Sequence, residues 1–512
     1  MTPLDFRLKA LAGLRPAPPA GPGLARVALE ATAAEPERII VTDGSRSFTR
    51  RQMLDMALSL GGAMQARGLR RGAVVAFQLP NWWEACVINL AAALFGWRVV
   101  PLLTIFRRAE LDHILHACQV EALFIPGEWR GTDHRALVAT LTYRPPHVVT
   151  LRAEGAFEAL LSHAPGTPDP APGTDAKLVI FTSGSTGSPK GVIHTLDAMD
   201  ALIRHAAGFW GITEQDRLHV PSPVGHIGGM LYAFEFPWAT GCIARLDDAW
   251  DPDRAVRLID AEGLTFIAGA TPFLSGLIDA ARRADSSLPS LTRFICGGAS
   301  VPPELVRRGL AQFPNAVVSR AFGSSEVPLI CPGLRTRAEA EAHADTDGEA
   351  TCEVTLVEGE ITVRAPQMLA GYLDPADDEG AFTGDGFFRM GDLGAWVEGR
   401  YLVITGRKKD IIIRKGENIA PLEIENALMR HPDVAACAVV GRPDPERGEM
   451  VVAFVVPAPG AAFDMAAMTA HLEGQGLARQ KFPEELRLMA SLPMNAVGKV
   501  QKPDLRRLAA GG

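Results

Sequence analysis

Ten consecutive residues, Thr182-Ser183-Gly184-Ser185-Thr186-Gly187-Ser188-Pro189-Lys190-Gly191, hold three glycines, five hydroxyls and one lysine. Glycine lets successive backbone N–H groups turn toward one point, and hydroxyls with an ammonium complete a cradle for an anion such as phosphate. The spacing is not that of a Walker A loop. Lys190 is followed by Gly191 where that motif requires Ser or Thr, and the exit Val192-Ile193-His194 is strand-like. A P-loop kinase or GTPase is thereby disfavoured. The competing interpretation, a flexible Ser/Gly linker, fits poorly with the buried-strand run Leu178-Val179-Ile180-Phe181 on its N-terminal side. Lysine is otherwise scarce: nine of the 51 basic residues, so arginine is the default cation. Lys190, Lys415 and Lys499 each have a glycine neighbour, and a compact ammonium suits a single phosphate oxygen better than a guanidinium fork does. For Lys9 and Lys481 a solvated surface charge is the plainer reading.

Such a loop must be carried by rigid elements, and the surrounding sequence alternates strand-like runs (Val74-Val75-Ala76-Phe77) with helix-like ones (53–66), which predicts an α/β architecture. The run Ala85 to Trp97 reads as a buried core helix, too short for the ~20 residues of a membrane span. His163 to Asp175, with four prolines, reads as a subdomain junction or a mobile surface loop. A β-rich stretch over 352–405 leads into Gly406-Arg407-Lys408-Lys409-Asp410. Beyond it lies a small α+β unit, with helices at 421–430 and about 465–479 and strands near 434–440, 450–457 and 485–490. The length of 512 residues suggests two to four domains at about 100–200 residues each. A net charge of −8 carries no nucleic-acid footprint. Seven scattered cysteines, none spaced Cys-x-x-Cys, suit neither a zinc ribbon nor a disulfide scaffold and point to a reducing compartment. Residues 1–25 lack the apolar stretch of a signal peptide, so the expectation is a cytoplasmic protein with no stable membrane insertion.

The loop 182–191 resembles the phosphate loop of the adenylate-forming superfamily, and further motifs follow in that family's order over nearly the whole chain. His226, in Pro223-Val224-Gly225-His226-Ile227-Gly228-Gly229, is similar to the histidine beside the acyl pocket; a structural histidine is the alternative. Gly297-Gly298-Ala299 resembles the segment against the adenine, although an ordinary strand-to-helix turn would read the same. Phe322-Gly323-Ser324-Ser325-Glu326 is similar to the motif in which a ring stacks on adenine and a glutamate reaches magnesium, with Phe322 and Ser325 where tyrosine and threonine are usual. Phenylalanine keeps the stacking and loses the phenol hydrogen bond. Asp392 and Arg407 look like the pair that holds the ribose hydroxyls, for which a carboxylate supplies two acceptors. Met390 stands two residues before Asp392 where threonine is usual. Lys409 matches the hinge, and Pro493-Met494-Asn495-Ala496-Val497-Gly498-Lys499 resembles the loop carrying the adenylation lysine, with Asn495 and Val497 departing from the commoner residues.

The resemblance is strongest to acyl-CoA synthetases for short to medium fatty acids and alicyclic acids. It implies a large α/β domain of mixed sheets over 1–408 with the ATP and acyl pockets, and a mobile α+β domain over 409–512 joined by a hinge. The implied cofactors are ATP, Mg2+ and coenzyme A, and the implied partner is a small carboxylic acid, with a homodimer left open. Lys499, Glu326 and His226 would stand at the chemistry, Glu326 also at the metal. Thr182, Ser183, Gly184, Ser185, Thr186, Gly187 and Lys190 would hold phosphates. Gly297, Gly298, Ala299, Phe322, Gly323, Ser325, Asp392 and Arg407 would hold the nucleoside, and Lys415 and Gly416 would flank the pantetheine path. Between Asp216 and Glu235 there is no acidic residue, which disfavours an amino-acid substrate; Gly269-Ala270-Thr271-Pro272-Phe273 and Phe322 are further candidate pocket walls. Rival readings are an adenylating enzyme that loads a carrier protein, a luciferase-like oxygenase and a non-catalytic nucleotide-binding protein.

Overall fold

Short β-branched runs alternating with amphipathic helices assemble into two seven-stranded sheets that share one core. The structure is a computed structural model describing residues 2–13, 19–153, 155–182, 189–298, 301–494 and 500–511. In the first sheet the order is Val317–Arg320, Arg293–Cys296, Phe266–Gly269, Arg217–Val220, Ile243–Leu246, Ile39–Asp43 and Arg46–Thr49. All neighbours are parallel except the last pair, a tight hairpin. The second sheet runs Gly371–Tyr372, Lys190–Thr195, Ala176–Thr182, Arg98–Pro101, Val74–Phe77, Ala122–Pro126 and His147–Leu151. Its first three strands are antiparallel and the rest parallel.

Strand Val74–Phe77 is buried throughout because both of its faces are covered: Val75 and Phe77 point into the shared core, and Val74 and Ala76 into a second cluster on the outer face. The expected core helix is Trp83–Leu94, and every one of its residues is buried, as its mostly apolar sequence requires, with Glu84 paired to Arg152 and Asn89 bonded to Glu235. It ends at Leu94, and the rest of that apolar run turns into strand Arg98–Pro101.

The segment 163–175, expected as a junction or mobile loop, is a strap laid on helices Arg50–Ala66 and Trp83–Leu94. The N–H groups of Gly166 and Asp169 donate to the carbonyls of Leu58 and Leu94, both at 2.9 Å. Pro-rich backbone with few donors suits such an extended path.

The β-rich stretch forms a four-stranded antiparallel sheet, Glu353–Val357, Glu360–Arg364, Phe388–Val397 and Tyr401–Arg407. A separate five-stranded sheet, built from Ile412–Arg414, Glu417–Ile419, Val434–Asp444, Gly448–Pro457 and Glu485–Leu488, carries its own core around Ile424, Leu428, Phe463 and Met468. The helix expected over 465–479 stops at Gly474, with Gly476 in the left-handed region (φ +74°), a common way for helices to end. Among the described residues no helix is long and apolar enough to cross a membrane.

Candidate active site

Ligands of open α/β sheets gather beyond the carboxyl ends of the parallel strands, and three of the expected segments lie there. Gly269 ends one strand, Gly297-Gly298 follows Cys296, and Ala321-Phe322-Gly323 follows Arg320. The Gly297 N–H donates to the Gly269 carbonyl at 3.1 Å and the Ala321 N–H to the Cys296 carbonyl at 2.8 Å, so the three turns lie side by side. Two glycines are required by the crowding: a Cβ on Gly297 would sit 2.9 Å from the Ala321 carbonyl oxygen, and one on Gly323 would sit 2.5 Å from the Leu329 nitrogen.

His226 lies past the end of the neighbouring strand Arg217–Val220 and caps a short helix, its Nδ1 accepting from the Gly228 N–H at 3.3 Å. That bond leaves the ring proton to Nε2 in the neutral form. A π-helical turn, Leu231–Glu235, follows. Its wall is apolar, with Ile227, Met230, Leu231 and Tyr232 buried. Glu235 is also buried and is engaged with Lys177 and with the Asn89 amide. Of the other candidate wall, Phe273 stacks on Trp250 with ring centroids 4.7 Å apart.

Beside these turns a cavity of about 530 Å³ is lined by Ser324, Glu326, Tyr372, Gly391, Arg407 and Lys408, among others. The Tyr372 hydroxyl donates to Glu326 Oε1 at 3.0 Å. Burial, reinforced by that carboxylate, pushes the Tyr372 phenol up, which keeps it a donor. The Ser325 carbonyl lies 2.6 Å from Nε2 of His194, a fully buried ring that burial holds below the ordinary histidine range and therefore neutral. Neutral His194 then donates from Nε2, tying the strand that leaves the phosphate loop to the Glu326 turn. Lys190 bridges to Asp377 at 2.8 Å.

Asp392 and Arg407 face each other in register on adjacent strands, Nε donating to Oδ1 at 2.7 Å. Burial opposes the Arg407 charge, but Asp392 more than offsets it and holds the guanidinium above its ordinary range. Next to them, Glu360 takes both Arg389 and Lys408 at 3.1 Å. Burial, and then the Arg407 charge, lower the Lys409 ammonium.

Strands Ile412–Arg414 and Glu417–Ile419 form a hairpin whose tip, Lys415 (φ +51°) and Gly416 (φ +82°), is left-handed; neither residue lines the cavity. The Lys415 N–H donates to the Arg447 carbonyl at 2.8 Å. Met494 and Val500 form an antiparallel bridge.

Glu326, Ser324, Arg407 and Asp392 are thus gathered at one place, with Gly297, Gly298, Phe322 and Gly323 on adjoining turns. Thr182 ends its strand opposite Lys190. Ser183, Gly184, Ser185, Thr186, Gly187, Ala299 and Lys499 lie outside the described residues. Sequence reasoning missed Tyr372, Glu360, Asp377 and His194; the one signal was that Tyr372 is one of only four tyrosines.

The donor set fits the implied groups. Among the described residues no three His, Cys, Asp or Glu side chains cluster to cage a metal. Glu326, with one oxygen held by Tyr372, is a single-carboxylate site of the kind Mg2+ uses when phosphates supply further ligands. The Asp392–Arg407 pair, its carboxylate buried and its guanidinium partly exposed beside a cavity of this size, suits a ribose.

Residues 29–373 match the AMP-binding enzyme family and residues 423–499 the AMP-binding enzyme C-terminal domain. The chain therefore belongs to the AMP-binding enzymes, in their acyl-CoA ligase branch. It is 32% identical over 500 residues to the medium-chain fatty-acid–CoA ligase of Escherichia coli (strain K12), an alignment covering 93% of this chain and 88% of that one. It is 30% identical over 494 residues to the indoleacetate–CoA ligase of Aromatoleum aromaticum, covering 93% of this chain and 96% of the relative. ATP-bound MatB from Rhodopseudomonas palustris superposes with a TM-score of 0.85 at 25% identity, over 95% of this chain and 99% of that one. The enzyme activates a small carboxylic acid with ATP and Mg2+ and transfers the acyl group to coenzyme A.

Proposed function

We propose that the acid is uncharged and apolar, a short- or medium-chain fatty acid or an alicyclic acid. The observation that carries this is the wall around His226. Positions 217–234 contain no acidic residue, and the first acid after them, Glu235, is buried and already neutralised by Lys177. A substrate ammonium would find no free carboxylate there, and the segment that follows His226 brings only apolar side chains, Ile227, Met230, Leu231 and Tyr232, to this region.

An acid carboxylate and the α-phosphate repel, so positive charge and positioned donors must lower the barrier. In this reading Lys499 bridges the two anions, and Lys190, with Thr182 and residues 183–187, orients the outer phosphates. Glu326 holds Mg2+, which supplies charge neutralisation for the departing pyrophosphate. Asp392, oriented by Arg407, accepts from the ribose hydroxyls, and Phe322 with Gly297, Gly298, Ala299, Gly323 and Ser325 frames the base. Lys499 and the incoming thiol cannot share one face of the acyl-adenylate, which calls for rotation of 409–512 about Lys409. The hairpin tip Lys415-Gly416 then reaches the pantetheine arm, where the absence of a side chain on Gly416 permits close approach. Seven free cysteines support a cytoplasmic location, and a homodimer is the assembly to check by light scattering.

Mass-spectrometric product analysis with ATP, Mg2+ and a panel of straight-chain, alicyclic, aromatic and amino acids, each with and without CoA, tests this. The expected products are AMP and an acyl-CoA from apolar acids only. Turnover restricted to amino acids would overturn the substrate class, and acyl-adenylate that ignores CoA would point to a carrier-protein acceptor.

A further inference from the structure

The helix Pro3–Leu11 is anchored deep in the molecule. Thr2 and Asp5 close a capping box at its start, and Asp5 also pairs with Arg98 at 2.6 Å. Leu4 is fully buried, and Leu11 packs so closely on Gly371 that a Cβ there would sit 2.6 Å from the leucine. Between them Arg7, only 8% exposed, donates from Nε to the Tyr372 carbonyl at 2.6 Å and pairs with Asp378. Asp378 in turn accepts from the Tyr372 N–H at 2.9 Å, so the Tyr372 backbone is gripped at both its carbonyl and its amide.

That backbone carries two groups of the nucleotide site. The Tyr372 hydroxyl donates to Glu326, and Asp377, one residue before Asp378, holds Lys190. We propose that Arg7 is a positioning residue for MgATP: by fixing the 372–378 segment it sets where the Glu326 carboxylate and the Lys190 ammonium stand. Arginine is needed because the two bonds diverge from one planar fork, Nε to a carbonyl and the terminal nitrogen to a carboxylate, which a lysine cannot make together. The inference rests on the reading of Glu326 and Lys190 as MgATP contacts.

Arg7→Gln, Arg7→Lys, Tyr372→Phe and the Arg7→Gln/Tyr372→Phe double variant of the full chain test it, with circular dichroism to check folding. In ATP–pyrophosphate exchange at saturating acid, Arg7→Gln is expected to raise KM for MgATP about five- to tenfold, less than the full value of a charge-assisted hydrogen bond because Arg7 acts on the nucleotide only through the 372–378 segment. KM for the acid stays unchanged, and Arg7→Lys recovers part of the loss. The double variant loses less than the product of the single losses, because both cut the same link. Unchanged KM for MgATP in a folded Arg7→Gln protein would overturn the proposal, as would an equal loss in every parameter combined with simple additivity. If Arg7→Gln does not fold, Asp378→Asn cuts the same link from its other end with the same expectation. Calorimetric titration of MgATP without acid separates the two levels. A wild-type protein that binds no MgATP would overturn the proposed function itself, whereas equal binding by wild type and Arg7→Gln would overturn only the role of Arg7.

Discussion

Replacing Asp392 by asparagine is the most informative single change at the nucleotide site. The carboxylate is 9% exposed and accepts from Arg407 Nε at 2.7 Å and Nη2 at 3.5 Å, so one strong and one marginal charge-assisted bond hold it. Asparagine keeps one acceptor and turns the other into a donor, which removes the charge assistance to Arg407 and, in the proposed function, one acceptor for the vicinal ribose hydroxyls. A hydrogen bond to a charged group contributes about 1.5–3 kcal/mol, so kcat/KM for ATP should fall roughly 10- to 150-fold. Arg407 is 35% exposed and regains water, so the cost to folding is smaller, about 1 kcal/mol. The assay is ATP–pyrophosphate exchange with ATP, 2′-deoxy-ATP and 3′-deoxy-ATP. The wild type should discriminate strongly against at least one deoxy analogue, and Asp392→Asn should lose most of that discrimination. A variant that is tenfold slower with all three nucleotides, its discrimination intact, would refute the ribose contact.

Lys499→Ala is expected to lose adenylation by at least about 100-fold while converting supplied acyl-adenylate and CoA to thioester at near wild-type rate, as measured by product chromatography. Gly416→Ala places a Cβ at φ +82°, a strain of about 1 kcal/mol; thioester formation should slow while ATP–pyrophosphate exchange is unchanged, read by assaying the two half-reactions separately. Lys177→Met strands buried Glu235 and should destabilise the protein by about 3–5 kcal/mol, whereas Lys177→Met/Glu235→Met should recover most of that in denaturant titration. Burial lowers the pKa of His134, His194 and His205, so below about pH 6.5 the unfolded chain takes up protons that the folded one refuses. Their stabilisation is complete above that pH and lost as pH falls toward the folded values. Unfolding midpoints should therefore drop between about pH 7 and 5.5, and His194→Gln should flatten the slope.

Much of this site was legible because its signals are local. The antiparallel pairing of Ala176–Thr182 with Lys190–Thr195 follows from a buried-strand run, a glycine and hydroxyl loop and a β-branched exit, all within twenty residues. The buried helix Trp83–Leu94 was readable from an apolar run broken only by Asn89, although where it stopped was not, since Phe95 and Trp97 carry the apolar run past its last turn. Segment 163–175 is an irregular surface stretch, as its prolines indicate, but what it lies against was not legible, because proline content reports the absence of regular structure and not the neighbours of the extended chain.

The residue types that could do this chemistry, their order along the chain and the α/β class were determined by the sequence itself, because turns, periodicity and glycine-rich loops are set by neighbours in the chain. Which of those residues meet was decided only in three dimensions. The strand order that lays Gly371–Tyr372 beside Lys190–Thr195 puts a tyrosine hydroxyl on Glu326, Asp377 on Lys190 and Arg7 behind both. Those pairings join segments far apart in sequence, and no local propensity encodes them. They follow from how two sheets and the helices over them bury a common core.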